Sequence, residues 1–443
     1  MEEIARPFVD HRLAAATLAA ALPAYREGRL QILSARVAQS RRRISRRLLR
    51  EGGMWLGVVW QLQVRDGVSG ECGEQWLYGR FYHGPAPLAE WTREAAGAGC
   101  VPRFGQPVAL LPDAGLVLWA LPNDPVISAL GTFLDPLAAA AHVPTSLRPD
   151  DGTRVVARIV RHEPEEHCTA RFQVIHEGCT KALYGKCYAD GRWRDARDGL
   201  DALWRHAGRD PLAFTVGRPL GASPALGALW QEEVQGRPLA AELRAPHGKR
   251  LVVRLADALY RLQRAGPRQG RREPPAESVG LARKWHKKLE LADAALAEAS
   301  APVLARLATP PLRSTADVTV HGDFHVDQML WTGERIALFD YDNFAIGSPL
   351  RDLADCISQL LCRQDEGDWR AIAGGLLGAY RTRIGDAFDE ADFDWHLRLM
   401  LMRKAYSFMV RAREGWRGAS ERALRLAIDG RNALPPKGFE VAA

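Results

Sequence analysis

The segment His321-Gly-Asp-Phe-His-Val-Asp-Gln328 precedes a short hydrophobic stretch that ends in Phe339-Asp340-Tyr341-Asp342. Asp323 stands five positions ahead of an amide side chain, Gln328, and Asp340 closes the next predicted strand. Three oxygen donors around one pocket suit phosphoryl transfer. One carboxylate can orient an attacking hydroxyl while the others hold magnesium.

In order and spacing these residues resemble the aminoglycoside phosphotransferase and choline kinase family, relatives of protein kinases. The catalytic loop of that family reads His-Gly-Asp-x-x-x-x-Asn and its metal motif Ile-Asp-Trp or Ile-Asp-Phe. The resemblance implies that Asp323 is the catalytic aspartate, that His321 supports its loop by hydrogen bonding, and that Asp340 binds magnesium. Gln328 falls where the family has a metal-binding asparagine. Its extra methylene moves the carbonyl oxygen outward, whereas magnesium demands close octahedral distances. Downstream, Gly347-Ser-Pro-Leu-Arg-Asp-Leu-Ala354 resembles Gly-Asp-Pro-x-x-Asp-Leu-Ala, which gives Asp352 the task of bracing the catalytic loop. Ser348 reads as a helix cap, Pro349 suits the first helical position, and Leu350, Leu353, Ala354, Ile357 and Leu361 share one apolar face. His325 is open to a substrate-facing or a structural role, and Asp342 to assisting the metal.

A kinase-like large lobe needs a small lobe ahead of it. Arg154–Val160, Thr169–Ile175 and Ala182–Tyr188 read as strands, with Lys186 in the third. The resemblance makes Lys186 the lysine that pairs with nucleotide phosphates. A helix is expected over 193–206, offering Asp198 and Asp201 as acidic partners for that lysine. Ala228–Leu239 resembles the family's hinge, where backbone groups of Gln231, Glu232, Glu233 and Val234 would bond the adenine edge before Gly236 turns the chain. The turn Arg161-His-Glu-Pro-Glu-Glu-His167 departs from the kinase pattern. It has no glycine and three carboxylates, and acid beside a triphosphate repels it unless a cation intervenes.

The first 140 residues repeat part of this grammar. Gln61–Gly67 followed by Leu77-Tyr-Gly-Arg-Phe-Tyr82 parallels Phe172–Gly178 followed by Leu183-Tyr-Gly-Lys-Cys-Tyr188, with Arg80 where Lys186 sits. A helix over 87–98 and the segment Leu116–Pro122 extend the parallel. Residues 1–140 therefore read as an α+β domain, either a degenerate copy of the small lobe or a chance convergence of tyrosine-rich strands, 150–235 as the small lobe itself, and 236–443 as a helical large lobe. The expected fold class is α+β, protein-kinase-like. An extra N-terminal copy would stabilise the small lobe, cap the substrate cleft or form a homo-oligomer contact.

In the large lobe, Leu251, Val252, Leu255, Leu259 and Leu262 form one helical stripe, and Trp285, Leu289, Ala292 and Leu296 another. Gly266–Gly280 reads as an exposed loop. One or two long helices are expected over 394–429, ending at Gly430.

A chain of 443 residues with 47% hydrophobic content can bury more than one core, so several domains are expected. Seven cysteines, without metal-ligand spacing, suit free thiols in a reducing compartment. The Leu13–Leu22 run follows acidic residues and reads as an amphipathic helix rather than a signal peptide, and no apolar run is long enough for a membrane span. A cytoplasmic protein is expected. The net charge of +7 is modest for this length. Ser40–Arg50 holds much of the local excess and reads as the solvated face of a packed helix, or as partners for local acids, so a nucleic-acid partner is not expected.

Together these features describe an ATP- and magnesium-dependent phosphotransferase acting on a hydroxyl of a small molecule. The alternative is a weak or inactive pseudokinase that binds nucleotide or serves as a scaffold. The arginines at 398, 403, 411, 413, 417, 422 and 425 lean away from a polycationic acceptor and toward a neutral sugar or an anionic metabolite.

Overall fold

The computed structural model describes residues 2–83, 99–142, 154–176, 179–210, 214–265, 271–312 and 316–435. The chain forms two compact units. The first comprises Met1–Gly191, Leu220–Trp230 and Val410–Glu414, and the second Arg192–Pro219, Gln231–Met409 and Gly415–Ala443.

Two five-stranded antiparallel sheets build the first unit. One holds β1 (Leu30–Arg42), β2 (Gly53–Asp66), β3 (Cys72–His83), β4 (Val108–Leu111) and β5 (Leu116–Ala120) in the order β1-β2-β3-β5-β4. The other holds β6 (Arg154–Glu163), β7 (His167–His176), β8 (Cys179–Tyr188), β9 (Pro219–Ser223) and β10 (Ala228–Glu232) in the order β6-β7-β8-β10-β9. The strand order is the same in both. Arg80 lies on the third strand of its sheet and Lys186 on the third of its own, while Trp119 and Trp230 are buried on the strands beside them.

Strand β2 explains its own near-continuous apolar sequence. Val59 faces a core shared with the second sheet, including Phe172, Leu183 and Trp230. Val58, Trp60, Leu62 and Val64 face the other way, against α1 (Glu2–Val9) and α2 (Ala14–Ala21). A strand covered on both faces loses the polar alternation of a half-exposed one. The glycine of each Tyr-Gly-basic triplet is a close-approach position. A Cβ on Gly79 would meet the Trp60 ring at 2.6 Å, and one on Gly185 would meet Trp230 at 2.8 Å.

The Ser40–Arg50 segment differs from the expected helix. β1 continues to Arg42, with Ser40, Arg41 and Arg42 paired to Val58, Gly57 and Leu56. Only Arg46–Glu51 is helical, and its first turn is capped by Ser45, whose hydroxyl accepts from Leu48 N at 3.1 Å. The helix expected over 87–98 lies outside the described residues.

The second unit is largely helical: α3 (Trp193–Arg209), α4 (Gly248–Ala265), α5 (Pro275–Ala292), α6 (Ala294–Leu307), α7 (Leu350–Cys362), α8 (Trp369–Ile384), α9 (Glu390–Arg411) and α10 (Trp416–Asp429). The α4 stripe is buried, and α4 packs on α8. The loop expected through Gly280 is shorter than that, because α5 starts at Pro275. Proline at a first helical position lacks only an N–H that has no intrahelical partner. The Trp285–Leu296 stripe is split at Asp293, whose side chain caps α6 by accepting from Ala295 N. Two short antiparallel pieces position the loops between helices: β12 (Val318–Val320) pairs with β15 (Ala345–Gly347), and β13 (Met329–Trp331) with β14 (Ile336–Leu338) and with β11 (Arg237–Pro238). Among the described residues no helix is long and apolar enough to cross a membrane.

Candidate functional site

The segment 321–328 leaves β12, closes in a 3-10 turn over Val326–Gln328 and enters β13, and Phe339-Asp340 follows β14. Two hairpin-like returns thus bring Asp323, Gln328 and Asp340 together in the second unit. Gln328 Nε2 lies 3.2 Å from Asp323 Oδ2 and 3.0 Å from Asp340 Oδ2, so the amide bridges both carboxylates. The extra methylene that sets glutamine apart from asparagine supplies this reach.

The loop is held from below by α7. Asp352, fully buried in the first turn of α7, accepts from the backbone N–H groups of His321 at 2.6 Å and Gly322 at 3.1 Å. Burial raises the Asp352 carboxyl above its usual range, against the pull of Arg351 and His321 and of those two backbone donors. The helix starts one residue later than expected. Leu350 N donates to Ser348 Oγ at 3.1 Å, and Pro349 occupies the cap position. His321 reaches the backbone carbonyl of Phe339 through Nε2 at 3.0 Å, tying the 321–328 loop to the Asp340 segment. Gly322 has φ +84°, and a Cβ there would stand 2.1 Å from the carbonyl oxygen of Asn343. Asp340 itself has φ +64°, a left-handed conformation uncommon outside glycine and asparagine or aspartate.

Several residues that the sequence did not single out complete the site. Arg403 on α9 spans two carboxylates, with Nη2 3.1 Å from Asp323 Oδ1 and Nη1 3.1 Å from Asp355 Oδ2. Lys404 stands 3.2 Å from Asp355 Oδ1, and Asp355 is fully buried. Burial alone would raise the Asp323 carboxyl. The contact from His325, whose Nε2 is 3.5 Å away, and the charges of Arg403 and Lys404 hold it well below the usual carboxylate range. Asp355 is likewise lowered by Lys404, Arg403 and Arg351 against its burial. Gln359 Nε2 holds His325 at Nδ1, 3.2 Å away, and donates to Asp327 at 2.7 Å, so His325 is fixed from both sides. Asp355 sits three residues beyond Asp352 on the same helix, the one local signal that could have marked it. Nothing in the local sequence marks Arg403, which lies 80 positions from Asp323.

The donor set suits a hard cation. Among the described residues no three His, Cys, Asp or Glu side chains gather as a metal site, and the oxygen donors here that could hold magnesium are Asp340 and the Gln328 amide. The Gln328 Oε1 atom is buried and has no hydrogen-bond partner, leaving an oxygen donor unspent at this point. A half-turn of the Gln328 amide would bring Oε1 to the place between the carboxylates where Nε2 lies, as a bound cation there would require.

The remaining expected residues are carried by other elements. Lys186 is on β8 of the first unit, with Nζ 5.3 Å from the Tyr188 ring centre. Asp198 pairs with Arg197 at 2.7 Å. Burial raises the Asp201 carboxyl. Gln231 and Glu232 end β10. The Glu232 N–H donates to Arg218 O at 2.9 Å and its carboxylate pairs with Arg218, while Glu233 accepts from Gln235 at 2.7 Å.

Comparison with known proteins gives a family and a set of solved structures with partial similarity. Residues 136–387 match the model of the phosphotransferase enzyme family, more than half of the chain. A choline kinase from Cryptosporidium parvum Iowa II is similar at 12% identity over 66% of this chain and 93% of that chain, with a TM-score of 0.47. The aminoglycoside phosphotransferase APH(4)-Ia is similar at 14% identity over 63% and 95%, TM-score 0.46. A macrolide 2'-phosphotransferase from Brachybacterium faecium is similar at 20% identity over 66% and 97%, TM-score 0.44. No curated protein sequence matches the chain.

Proposed function

Because this chain belongs to the phosphotransferase enzyme family, we propose that it transfers the γ-phosphate of ATP to a hydroxyl of a small molecule, with Asp323 orienting that hydroxyl and Asp340 and Gln328 as magnesium ligands. The observation that carries this reading is the convergence of Asp323, Gln328 and Asp340 on a loop whose backbone is fixed by the buried Asp352. Magnesium, when bound, would neutralise charge on the phosphates. The chain's own residues do the positioning: Arg403 fixes the direction of the Asp323 carboxylate, and Asp352 and His321 fix the loop that carries it. Phosphoryl transfer passes through a loose transition state, so placement and charge neutralisation supply most of the rate. In this reading Lys186 pairs with the nucleotide phosphates and backbone groups of residues 231–234 meet the adenine.

The cationic side of the site bears on the acceptor. Arg403 and Lys404 stand on α9 close to Asp323, with Arg403 partly exposed. A polycationic acceptor would meet repulsion there, whereas a neutral sugar or an acceptor carrying an acidic group would not.

The test is calorimetric binding of ATP with and without magnesium to the wild type, Asp340→Asn and Asp323→Asn. Magnesium-dependent binding that is lost in Asp340→Asn and kept in Asp323→Asn is expected, followed by phosphorylation in a screen of sugars and small alcohols. Absence of ATP binding under either condition refutes the reading. Binding without turnover of any acceptor favours the pseudokinase alternative, which draws on the same Gln328 bridge between the two carboxylates.

A further inference from the structure

The turn between β6 and β7 carries three glutamates, Glu163, Glu165 and Glu166, and no glycine. Each of the three is engaged by the N-terminal sheet. Gln39 Nε2 donates to Glu163. Arg41 pairs with Glu166. Glu165 is taken three times: Tyr78 OH donates to it, Arg80 Nε lies 3.2 Å from Oε1, and Arg43 Nη2 lies 3.2 Å from Oε2. The backbone of the turn is held as well, because Glu165 N donates to Asp124 Oδ2 at 3.2 Å, and the same carboxylate lies 3.2 Å from the buried His162 Nε2. Burial would raise the Asp124 carboxyl, but His162 and the N–H groups of Ile127 and Val126 hold it below its usual value, so it faces the turn as an anion.

Two features separate this arrangement from scattered surface pairing. Arg80 and Glu165 are largely buried, with side-chain exposures of 11% and 17%, where an unpaired charge would be costly. Glu165 also has φ +67°, a conformation that a non-glycine residue keeps only when its surroundings over-determine it. Arg80 holds in its sheet the place that Lys186 holds in the other, and its guanidinium is directed onto Glu165, 5.0 Å from the Trp119 ring centre.

We infer that the N-terminal sheet is a positioning clamp for the β6–β7 turn, holding it in one conformation and neutralising Glu165 and Glu166, while Arg161 of β6 itself pairs with Glu163. The inference rests on the function proposed above only for its consequence: a kinase-like small lobe covers the nucleotide phosphates with this turn, so the clamp sets affinity for the phosphate tail. Arg80, Tyr78 and Asp124 are then positioning residues that act through Glu165.

The experiment uses the full chain and two variants, Arg80→Ala and Glu165→Gln, the second removing charge with little change of shape. Hydrogen exchange followed by mass spectrometry reads the amides of 161–167, and calorimetry reads the binding of magnesium-ATP and of adenosine. In Arg80→Ala the turn is expected to exchange faster and magnesium-ATP to bind about tenfold more weakly, as for loss of one charged hydrogen bond, while adenosine affinity stays within about twofold. Glu165→Gln is expected to speed exchange of the turn by less and to leave magnesium-ATP affinity at or above that of wild type, because it removes the carboxylate that Arg80 and Arg43 neutralise. Unchanged exchange of the turn in folded variants overturns the clamp, and so does an equal loss of ATP and adenosine affinity. Faster exchange in a protein whose wild type binds no ATP upholds the clamp and refutes the proposed function instead.

Discussion

Replacing Gly322 by alanine probes the close approach of the 321–328 loop to Asn343, and the size of the effect follows from the structure. Two costs combine. At φ +84° an L-residue is strained by about 1 to 2 kcal/mol relative to glycine. The new Cβ would also stand 2.1 Å from Asn343 O, whereas ordinary contact begins at 3.4 Å, so the 322 and 343 backbones must part by about 1.3 Å. Overpacking of that kind costs about 1 to 3 kcal/mol. The sum is about 2 to 5 kcal/mol at one locus, and the displacement falls on the residue before Asp323. A shift of about 1 Å at a reacting group lowers turnover by about 100-fold. Urea unfolding and steady-state kinetics with an identified acceptor should therefore show a destabilised protein with kcat reduced about 100-fold and KM for ATP nearly unchanged. If Gly322→Ala unfolds within about 0.5 kcal/mol of wild type, as ordinary surface substitutions do, and keeps its kcat, the close approach of the two segments is wrong.

Asp352→Asn keeps the shape but turns an acceptor into a donor against His321 N or Gly322 N, and an unmade buried hydrogen bond costs about 1 to 3 kcal/mol. Thermal unfolding should show the loss, and wild-type stability in the variant would refute the brace. Arg403→Gln removes a charge that holds the Asp323 carboxyl low, so its pKa should rise and the acid limb of the kcat/KM profile should move to higher pH. The sign for stability follows from the depressed carboxyl: its contribution is whole above the unfolded value of about 4 and is lost as pH falls below it. Acid unfolding below about pH 4 should accordingly depend less on pH in Arg403→Gln than in wild type, with lower stability at pH 7. Gln328→Asn restores the family's residue but draws the amide back from contacts of 3.0 and 3.2 Å, and should weaken magnesium-ATP binding in calorimetry. Tighter binding would show that the longer side chain is a defect here.

The juxtaposition of Asp323, Gln328 and Asp340 was legible because these donors are close in sequence and the glycine, aspartate and helix-capping residues around them act locally. The same is true of β6 to β8, whose β-formers alternate or cluster. What escaped is what depends on distant partners. Arg41 and Arg43 fit a helical face beside Ile44, Leu48 and Leu49. The chain instead extends through Arg42 because β2 offers it a pairing edge, and its arginines meet Glu166 and Glu165 more than 120 residues away. Arg403 was visible only as part of a basic excess. Its role comes from the packing of α9, which places one guanidinium between carboxylates from two different segments. The left-handed backbone at Asp340 carries no compositional mark at all, since aspartate is common in both hands of a turn.

A strongly ionised Asp323 sits uneasily with the idea of a catalytic base, because a carboxylate held so low accepts a proton poorly. The difficulty disappears if its task is orientation. In a loose transition state the acceptor hydroxyl loses its proton late, so a fixed acceptor atom at the right distance matters more than basicity. Arg403 provides that fixity, since a planar guanidinium that donates to Asp323 and Asp355 together leaves each carboxylate little freedom to turn. The fork engages Asp323 through Oδ1, while Oδ2 faces Gln328. An acceptor hydroxyl that reaches Oδ2, which also faces His325, would stand on the side of Asp340, beside the group proposed to hold the phosphates through magnesium. Arg403→Lys keeps the charge but loses the fork. It should therefore keep much of the low Asp323 pKa while still losing turnover, and the two effects separate in a pH profile.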